Sequence, residues 1–260
     1  MKRHLYRIPR LGMYVLLGLI AAATSVGEPG GKPAKGGLKL DHFLCYIVSS
    51  QTPFPGAIAA TLTDQFQTGD VSIGEPLQFC NPVQKTVGTP PGPVVVTPIV
   101  DLRDHLTLYN LLTSPPLANP VTLTATNQFG AQTFTVDKAP SLMVPTQKNE
   151  LEFPTRLGHY WCYTLSGTTS IAQDVSLTDQ FGTRVVTVEK PELFCNPVEK
   201  TIGTNRTRIQ NSKAHLVCYN IQLPQSTDST QIHIKNQLEE DDYTVTTRQL
   251  LCAPSTKTLP

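Results

Sequence analysis

The sequence predicts an all-β protein made of tandem β-sandwich-like units, built from four internal repeats and stapled by disulfides. Three observations predict this class. One sequence pattern occurs four times, its apolar residues alternate with a period of two, and all six cysteines fall at equivalent positions of the copies. Self-similarity at a fixed period is typical of repeat architectures, and strict alternation of apolar and polar residues is typical of half-buried strands.

Each copy carries three anchors at nearly constant spacing. The first is a His followed four residues later by a Tyr, the second is an Asx-Gln-apolar triplet, and the third is a Cys or Met followed by Pro and Lys. The Asx precedes the third anchor by 16 residues in every copy (64 to 80, 127 to 143, 179 to 195 and 236 to 252). We call the shared His, Tyr, Gln and Lys the repeat signature and predict that its role is structural, with contact to a ligand as the alternative. Its members are His42, Tyr46, Gln65 and Lys85 in copy one (42–85), His105, Tyr109, Gln128 and Lys148 in copy two (105–148), His159, Tyr163, Gln180 and Lys200 in copy three (159–200), and His215, Tyr219, Gln237 and Lys257 in copy four (215–257).

The stretches on both sides of the triplet read as strands. After it, the equivalent positions Val71, Phe134, Val186 and Tyr243 are apolar, and the next apolar position follows two residues later. The triplet itself predicts a hairpin turn, because Asx and Gly tolerate the backbone that a turn requires. The His-to-Tyr segment predicts a further strand, with His and Tyr on one face and the Cys position on the other.

The cysteines predict their own pairing. Copies one, three and four each have a Cys in the first strand and another at the third anchor, whereas copy two has Leu108 and Met143 at these places. Both partners are lost together and both are replaced by apolar residues, as expected of a bridge within each copy. The predicted pairs are Cys45–Cys80, Cys162–Cys195 and Cys218–Cys252.

The chain divides into four predicted segments. Residues 1–25 combine basic residues, a short apolar run and small residues, which predicts a secretory signal peptide, with an uncleaved anchor as the alternative. Residues 26–38 read as a flexible leader. A second repetition, Lys85–Thr89 against Lys200–Thr204, favours two β units at 39–150 and 151–260; four independent mini-domains are the competing layout.

Composition and motifs exclude several classes of function. A formal net charge of +1 gives no sign of a nucleic-acid surface. No nucleophile elbow, phosphate-binding loop or zinc-protease motif occurs, so the sequence predicts no catalytic residue and no cofactor. His42 and Cys45 could be read as zinc ligands, but residues three apart on a strand face opposite ways, and cysteines outside the cytoplasm are paired. We therefore predict no metal site.

The segments Asp41–Tyr46, Leu62–Phe66 and Phe79–Lys85 resemble a family of secreted bacterial repeat proteins that carry a domain of unknown function. The resemblance implies export and a bacterial source, and it implies no activity. We predict an exported, non-enzymatic protein, secreted or periplasmic, with a structural, adhesive or ligand-binding role and no membrane span in the mature chain. Its partner would be a cell-surface or extracellular macromolecule. The alternative is a secreted hydrolase or carbohydrate-binding protein with its site in the variable loops Ser49–Gly56 or Ser166–Gln173.

Overall fold

The computed structural model describes residues 40–222 and 229–260, all of which belong to the compact unit Leu38–Pro260. The predicted signal peptide 1–25 and leader 26–38 lie outside the described residues. The all-β prediction is confirmed, because the described elements are strands of one antiparallel sheet. They are β1 (His42–Ser49), β2 (Ile58–Thr63), β3 (Thr68–Val87), β4 (Val95–Thr97), β5 (His105–Thr113), β6 (Val121–Asn127), β7 (Gly130–Val136), β8 (Ser141–Lys148), β9 (His159–Ser166), β10 (Gln173–Asp179), β11 (Gly182–Ile202), β12 (Asn205–Thr207), β13 (His215–Gln222), β14 (Thr230–Lys235) and β15 (Glu240–Thr258).

The four copies form a closed ring. Within each copy, the first strand pairs with the segment that carries the third anchor, as β1–β3, β5–β8, β9–β11 and β13–β15. Between copies, the first strand also pairs with the preceding copy, as β5–β3, β9–β8 and β13–β11. The pairing of β1 with β15 joins copy one to copy four. Each first strand therefore has a neighbour on both sides, and the ring has no open edge between the copies.

Each copy also projects a hairpin from the ring, and its turn is an Asx turn. The hairpins are β2–β3, β6–β7, β10–β11 and β14–β15. The side-chain Oδ1 of each Asx accepts the backbone N–H two residues on, for example Phe181 N to Asp179 Oδ1 at 2.9 Å. Gly130 and Gly182 follow two of the triplets with φ of 99° and 115°, a region that favours glycine. The predicted hairpins are thus present.

The hairpins reach across the ring to the copy two places along the chain. The first hairpin strand of copy one pairs with copy three (β2–β11) and that of copy three with copy one (β10–β3). Copies two and four exchange hairpins in the same way (β6–β15 and β14–β8). The reciprocal partners are therefore one with three and two with four.

The period of two in the sequence separates two hydrophobic clusters. One face of the ring strands carries residues such as Tyr46, Phe79 and Trp161 and packs under the hairpins. The other face carries all six cysteines together with Leu108 and Met143. The His-to-Tyr strands thus place Tyr and Cys on opposite faces, as the alternation predicts.

The predicted units 39–150 and 151–260 share one sheet in the folded chain. Strands of both halves pair at β1–β15, β3–β10, β2–β11, β7–β9, β8–β9, β8–β14 and β6–β15. The division into two units stays a prediction about how the chain folds. Within the described residues, 40–222 and 229–260, no helix is long and apolar enough to span a membrane.

The tails that copies one and three share form a small additional hairpin in each. β3 continues to Val87 and pairs with β4, and β11 continues to Ile202 and pairs with β12. Gly88 and Gly203, with φ of 91° and 56°, make the turns that follow these strands. The segment Pro90–Pro93 lies in the connection to β4, inside the unit that the sequence predicts.

Candidate functional site

The residues of the repeat signature come together at four places around the hairpin turns, which we call tip junctions. At each, the Asx-Gln-apolar triplet of one copy lies between the Tyr of the copy two places away and the His and Lys of the preceding copy in the ring. The triplets and their partners are Asp64-Gln65-Phe66 with Tyr163, His215 and Lys257; Asn127-Gln128-Phe129 with Tyr219, His42 and Lys85; Asp179-Gln180-Phe181 with Tyr46, His105 and Lys148; and Asn236-Gln237-Leu238 with Tyr109, His159 and Lys200.

The junction around Lys148 has the fullest set of contacts. The Lys148 ammonium donates to Oε1 of Gln180 and lies 3.4 Å from Oδ1 of Asn81. It also lies 4.2 Å from the centre of the Phe181 ring, a cation–π geometry. The Gln180 amide lies 3.3 Å from His105 Nε2, and His105 Nδ1 lies 3.0 Å from the carbonyl of Arg103. These partners assign the imidazole as a neutral tautomer protonated at Nδ1.

The Asx side chain ties each tip to the copy two places away, and its chemistry alternates around the ring. In copies one and three it is an Asp, an acceptor-only group. Asp179 Oδ2 accepts from the Tyr46 hydroxyl at 2.5 Å and from Asn81 Nδ2 at 3.0 Å. In copies two and four it is an Asn whose amide donates: Asn236 Nδ2 lies 2.7 Å from the Tyr109 hydroxyl. The side chains around each Asx differ accordingly. The contacts between copies one and three are therefore chemically different from those between copies two and four.

The junction around Lys200 departs from the pattern. Lys200 donates to Gln237 Oε1 at 2.7 Å, but the triplet ends in Leu238, which offers no ring to the ammonium. Both ring nitrogens of His159 lack a hydrogen-bond partner among the described residues. The Gln237 amide lies 3.5 Å from Thr207 instead. The His of this junction thus makes fewer hydrogen bonds than the equivalent His at the junction around Lys148.

Burial governs the protonation of the signature residues. It lowers the pKa of each of the four lysines to about 8, so they remain mostly protonated at neutral pH. Burial also lowers the pKa of the histidines, to about 4 for His105 and to about 3 for His42, His159 and His215. A neutral imidazole beside a buried ammonium avoids two like charges in a poorly solvated space. The signature residues thus take part in contacts between copies, and their structural role stays a prediction.

Three disulfides lie in the cluster on the ring face that is turned away from the hairpins: Cys45–Cys80, Cys162–Cys195 and Cys218–Cys252. They are the pairs that the sequence predicts. Because Cys45 is bridged and faces this cluster while His42 contacts Gln128, the two residues point to different surroundings. In the described part of the chain, no group of three His, Cys, Asp or Glu side chains comes together as a metal site.

An open cavity of about 370 Å³, which we call the axial cavity, lies where all four copies meet. Its walls come from equivalent positions: the residues two and three places before each third anchor line it in every copy. Because each copy contributes the same positions, the cavity lies on the pseudo-fourfold axis of the ring. The lining residues are Ile47, Leu77, Gln78, Leu108, Asn110, Pro140, Ser141, Thr164, Glu192, Leu193, Gln249 and Leu250.

Sequence reasoning missed the axial cavity, although a signal was present. The position two places before the third anchor is Gln78, Ser141, Leu193 and Leu250 in the four copies. The residue that follows it is Phe or Leu in every copy, whereas this position changes from polar to apolar. A buried strand position that varies among otherwise similar copies indicates a place where the copies do different work.

One of the two predicted variable loops lines a second cavity. Residues of the Ser49–Gly56 loop, with Glu75 and Tyr243, surround a cavity of about 390 Å³. The Ser50 hydroxyl donates to Asp241 Oδ2 at 2.5 Å. The other predicted loop, Ser166–Gln173, connects β9 to β10 and turns at Gly167, with φ of 75°.

The ring, the bridges and the exchanged hairpins define a class of disulfide-bridged, all-β repeat proteins. Residues 105–254 match the model of the DUF7450 repeat of unknown function. Because this match covers more than half of the chain, the protein belongs to that family. The match covers copies two and three and copy four up to residue 254, and copy one carries the same anchors. No curated protein and no solved structure matches the chain.

Proposed function

We propose that this protein is an exported, non-enzymatic β-repeat ring that binds a ligand outside the cytoplasm, with the axial cavity as its binding site. One observation carries the proposal. The repeated polar residues contact one another at the tip junctions, whereas the positions that differ among the copies converge on the axial cavity. Open cavities with apolar walls and a few polar groups are the usual form of small-ligand sites.

Export is supported by the cysteines. Three disulfides are typical of proteins outside the cytoplasm, where thiols are not kept reduced. Cleavage of residues 1–25, a bacterial source and a cell-surface or extracellular macromolecule as partner are further parts of the proposal. If a macromolecule presents the ligand group, binding in the axial cavity also gives the protein a structural or adhesive role.

A second candidate function is a secreted hydrolase or carbohydrate-binding protein with its site in the variable loops. The cavity beside Ser49–Gly56 favours it, because Glu75 and Tyr243 also line that cavity. The two functions differ in where a ligand would bind. Oligosaccharide binding that is lost in Phe54→Ala and kept in Leu193→Ala would place the function in the loop.

Export is tested by expressing residues 1–260 in a bacterial host and separating cytoplasm, periplasm and medium. We expect the chain outside the cytoplasm, with an intact mass that shows loss of about 25 residues and of six thiol hydrogens. Non-reducing peptide mapping should recover the three pairs within copies. A cytoplasmic chain that keeps its leader and has free thiols would contradict the proposal.

A matched pair of leader variants separates export from simple instability. Leu17→Arg places a charge in the apolar run and should retain the chain in the cytoplasm, whereas Leu17→Ile should leave export unchanged. Because both changes lie in the segment that is removed, the mature protein is the same. Equal export of both variants would show that this run is not the targeting signal.

A further inference from the structure

We propose that the axial cavity takes a neutral ligand group with an apolar ring or chain and an N–H or O–H donor at one edge. The inference rests on the proposed binding function and adds the chemistry of the ligand. The residues at the four equivalent positions two places before the third anchor determine this chemistry, because they surround the axis at one level. Gln78 and Ser141 come from copies one and two, and Leu193 and Leu250 from copies three and four.

Apolar side chains from every copy form part of the cavity wall. Leu193 and Leu250 are buried there, and Leu108, which stands where the other copies have a bridged cysteine, lies beside them in the same cluster. Ile47 and Leu77 of copy one also line the cavity and are 40% and 38% exposed. Large apolar side chains left partly open around a cavity favour a ligand with apolar surface.

Copies one and two also place unused hydrogen-bonding groups in the cavity wall. Gln78 and Ser141 are 6% and 3% exposed. The Gln78 amide donates to Oε1 of Gln249, but Gln78 Oε1 and Ser141 Oγ have no partner among the described residues. A buried polar atom without a partner costs free energy, which a bound donor would recover. A rotation about one torsion of Ser141 would turn its hydroxyl toward such a ligand.

The charge at the cavity selects against acids. Glu192 is the one charged side chain among the lining residues that the structure describes, and it is exposed. Its carboxylate repels an anion and accepts from a donor. Gln78 Oε1 is also an acceptor, so both groups favour a ligand that donates hydrogen bonds. Because any full charge would also lose solvation against the apolar part of the wall, the ligand group that fits is a neutral donor, like the edge of an indole or a phenol.

The test uses indole and benzofuran as probes, because they share shape while benzofuran lacks the N–H donor. Binding to the purified, fully bridged mature chain is measured by isothermal titration and by ligand-observed NMR. We expect indole to bind at least about fivefold more tightly than benzofuran, because only indole satisfies the unpartnered acceptors. Equal binding of both, or binding of neither at millimolar concentration, would overturn the proposal.

Variants locate the probe. Ser141→Ala and Gln78→Met should bring indole down to the affinity of benzofuran and leave benzofuran unchanged. The matched controls Ser72→Ala and Gln231→Met change the same residue types on the hairpins and should leave both affinities as they are. Indole binding that persists unchanged in Ser141→Ala and Gln78→Met would place the probe elsewhere.

An acidic probe tests the charge without touching a buried group. Indole-3-carboxylate should bind more weakly than indole, and Glu192→Gln should reduce that difference. Since Glu192 is exposed, this variant should fold even if a change at Ser141 does not. A preference for the carboxylate would contradict the proposal.

N-acetyltryptophanamide distinguishes the sources of the ligand group. Binding at least as tight as that of indole indicates a side chain presented by a polypeptide. Weaker binding indicates a free small molecule. Failure of every probe while the chain is still exported with its three bridges would refute this ligand chemistry and leave export standing.

Discussion

Copies one and two fill the same pair of buried positions with different side chains. In copy one, Cys45 lies opposite Cys80 and the two are bridged; in copy two, Leu108 lies opposite Met143 in the same register. Both pairs are buried in the same hydrophobic cluster as the other two bridges. In copy two the β5 strand is paired on both sides, with β3 and β8, so the ring holds it without a covalent link. The difference teaches that the bridge stabilises the chain chiefly against unfolding and is not needed to shape the strand pair.

Giving copy one the pair of copy two should have the largest effect. Cys45→Leu with Cys80→Met removes a link between residues 35 apart, and we expect the free energy of unfolding to fall by about 3–4 kcal/mol. Chemical denaturation without reductant measures this. Leu108→Met with Met143→Leu is the control, because it exchanges similar volumes and should cost less than about 1.5 kcal/mol. Equal losses in both variants would show that the bridge contributes no more than packing.

Giving copy two a bridge is the reverse change. Leu108→Cys with Met143→Cys joins residues that lie opposite each other on β5 and β8, and it closes a loop of the same length as in copy one. We expect a gain of about 2–3 kcal/mol, since introduced bridges often deliver less than native ones. The measurement is the same denaturation, with a thiol assay to show that no free cysteine remains. No gain in a fully oxidised variant would mean that the ring already restricts copy two as a bridge would.

Acid should act on all copies alike, through the buried imidazoles. Their pKa values are about 3 to 4 in the folded chain against an ordinary value near 6.5, so the unfolded chain binds more protons between these limits. Stability is therefore full above pH 6.5 and falls as the pH drops toward 4. At pH 5 the expected loss is about 2 kcal/mol for each histidine.

The contribution of copy two to this pH dependence of stability is measured with His105→Asn. This variant should be less stable at pH 7, because it loses the hydrogen bonds to Gln180 and Arg103. Its stability should fall less steeply between pH 6.5 and 5 than that of the wild type, by about 2 kcal/mol over that range. Unfolding is followed by urea denaturation at each pH. A parallel pH profile would show that His105 is not buried as a neutral group.

The smallest effect concerns the rings that cover the lysines. Phe181 lies over Lys148 of copy two, whereas Leu238 takes its place beside Lys200. We expect Phe181→Leu to lower the unfolding free energy and Leu238→Phe to raise it, the cation–π part being about 0.5–2 kcal/mol. Thermal and chemical unfolding measure both. A loss in Leu238→Phe would mean that the junction around Lys200 has no room for the ring.

Much of the local structure could be predicted from the sequence, because it depends on residues close together in the chain. The alternation around Val71 and its equivalents indicated the hairpin strands, and Asp64 and its equivalents indicated the turns. The joint replacement of two cysteines by Leu108 and Met143 indicated pairing within copies, which is how the cysteines are joined in the structure. These inferences needed only the period of a strand and the comparison of one copy with another.

The partners of each copy were decided by tertiary structure alone. A period of two indicates which face of a strand is buried, but it does not indicate what covers that face. Tyr46 lies against Asp179, and Tyr109 against Asn236, because ring closure carries each hairpin to the copy two places away. The axial cavity arises from the same closure: Gln78 and Leu193 are 115 positions apart in the chain, and only the ring brings them to one axis.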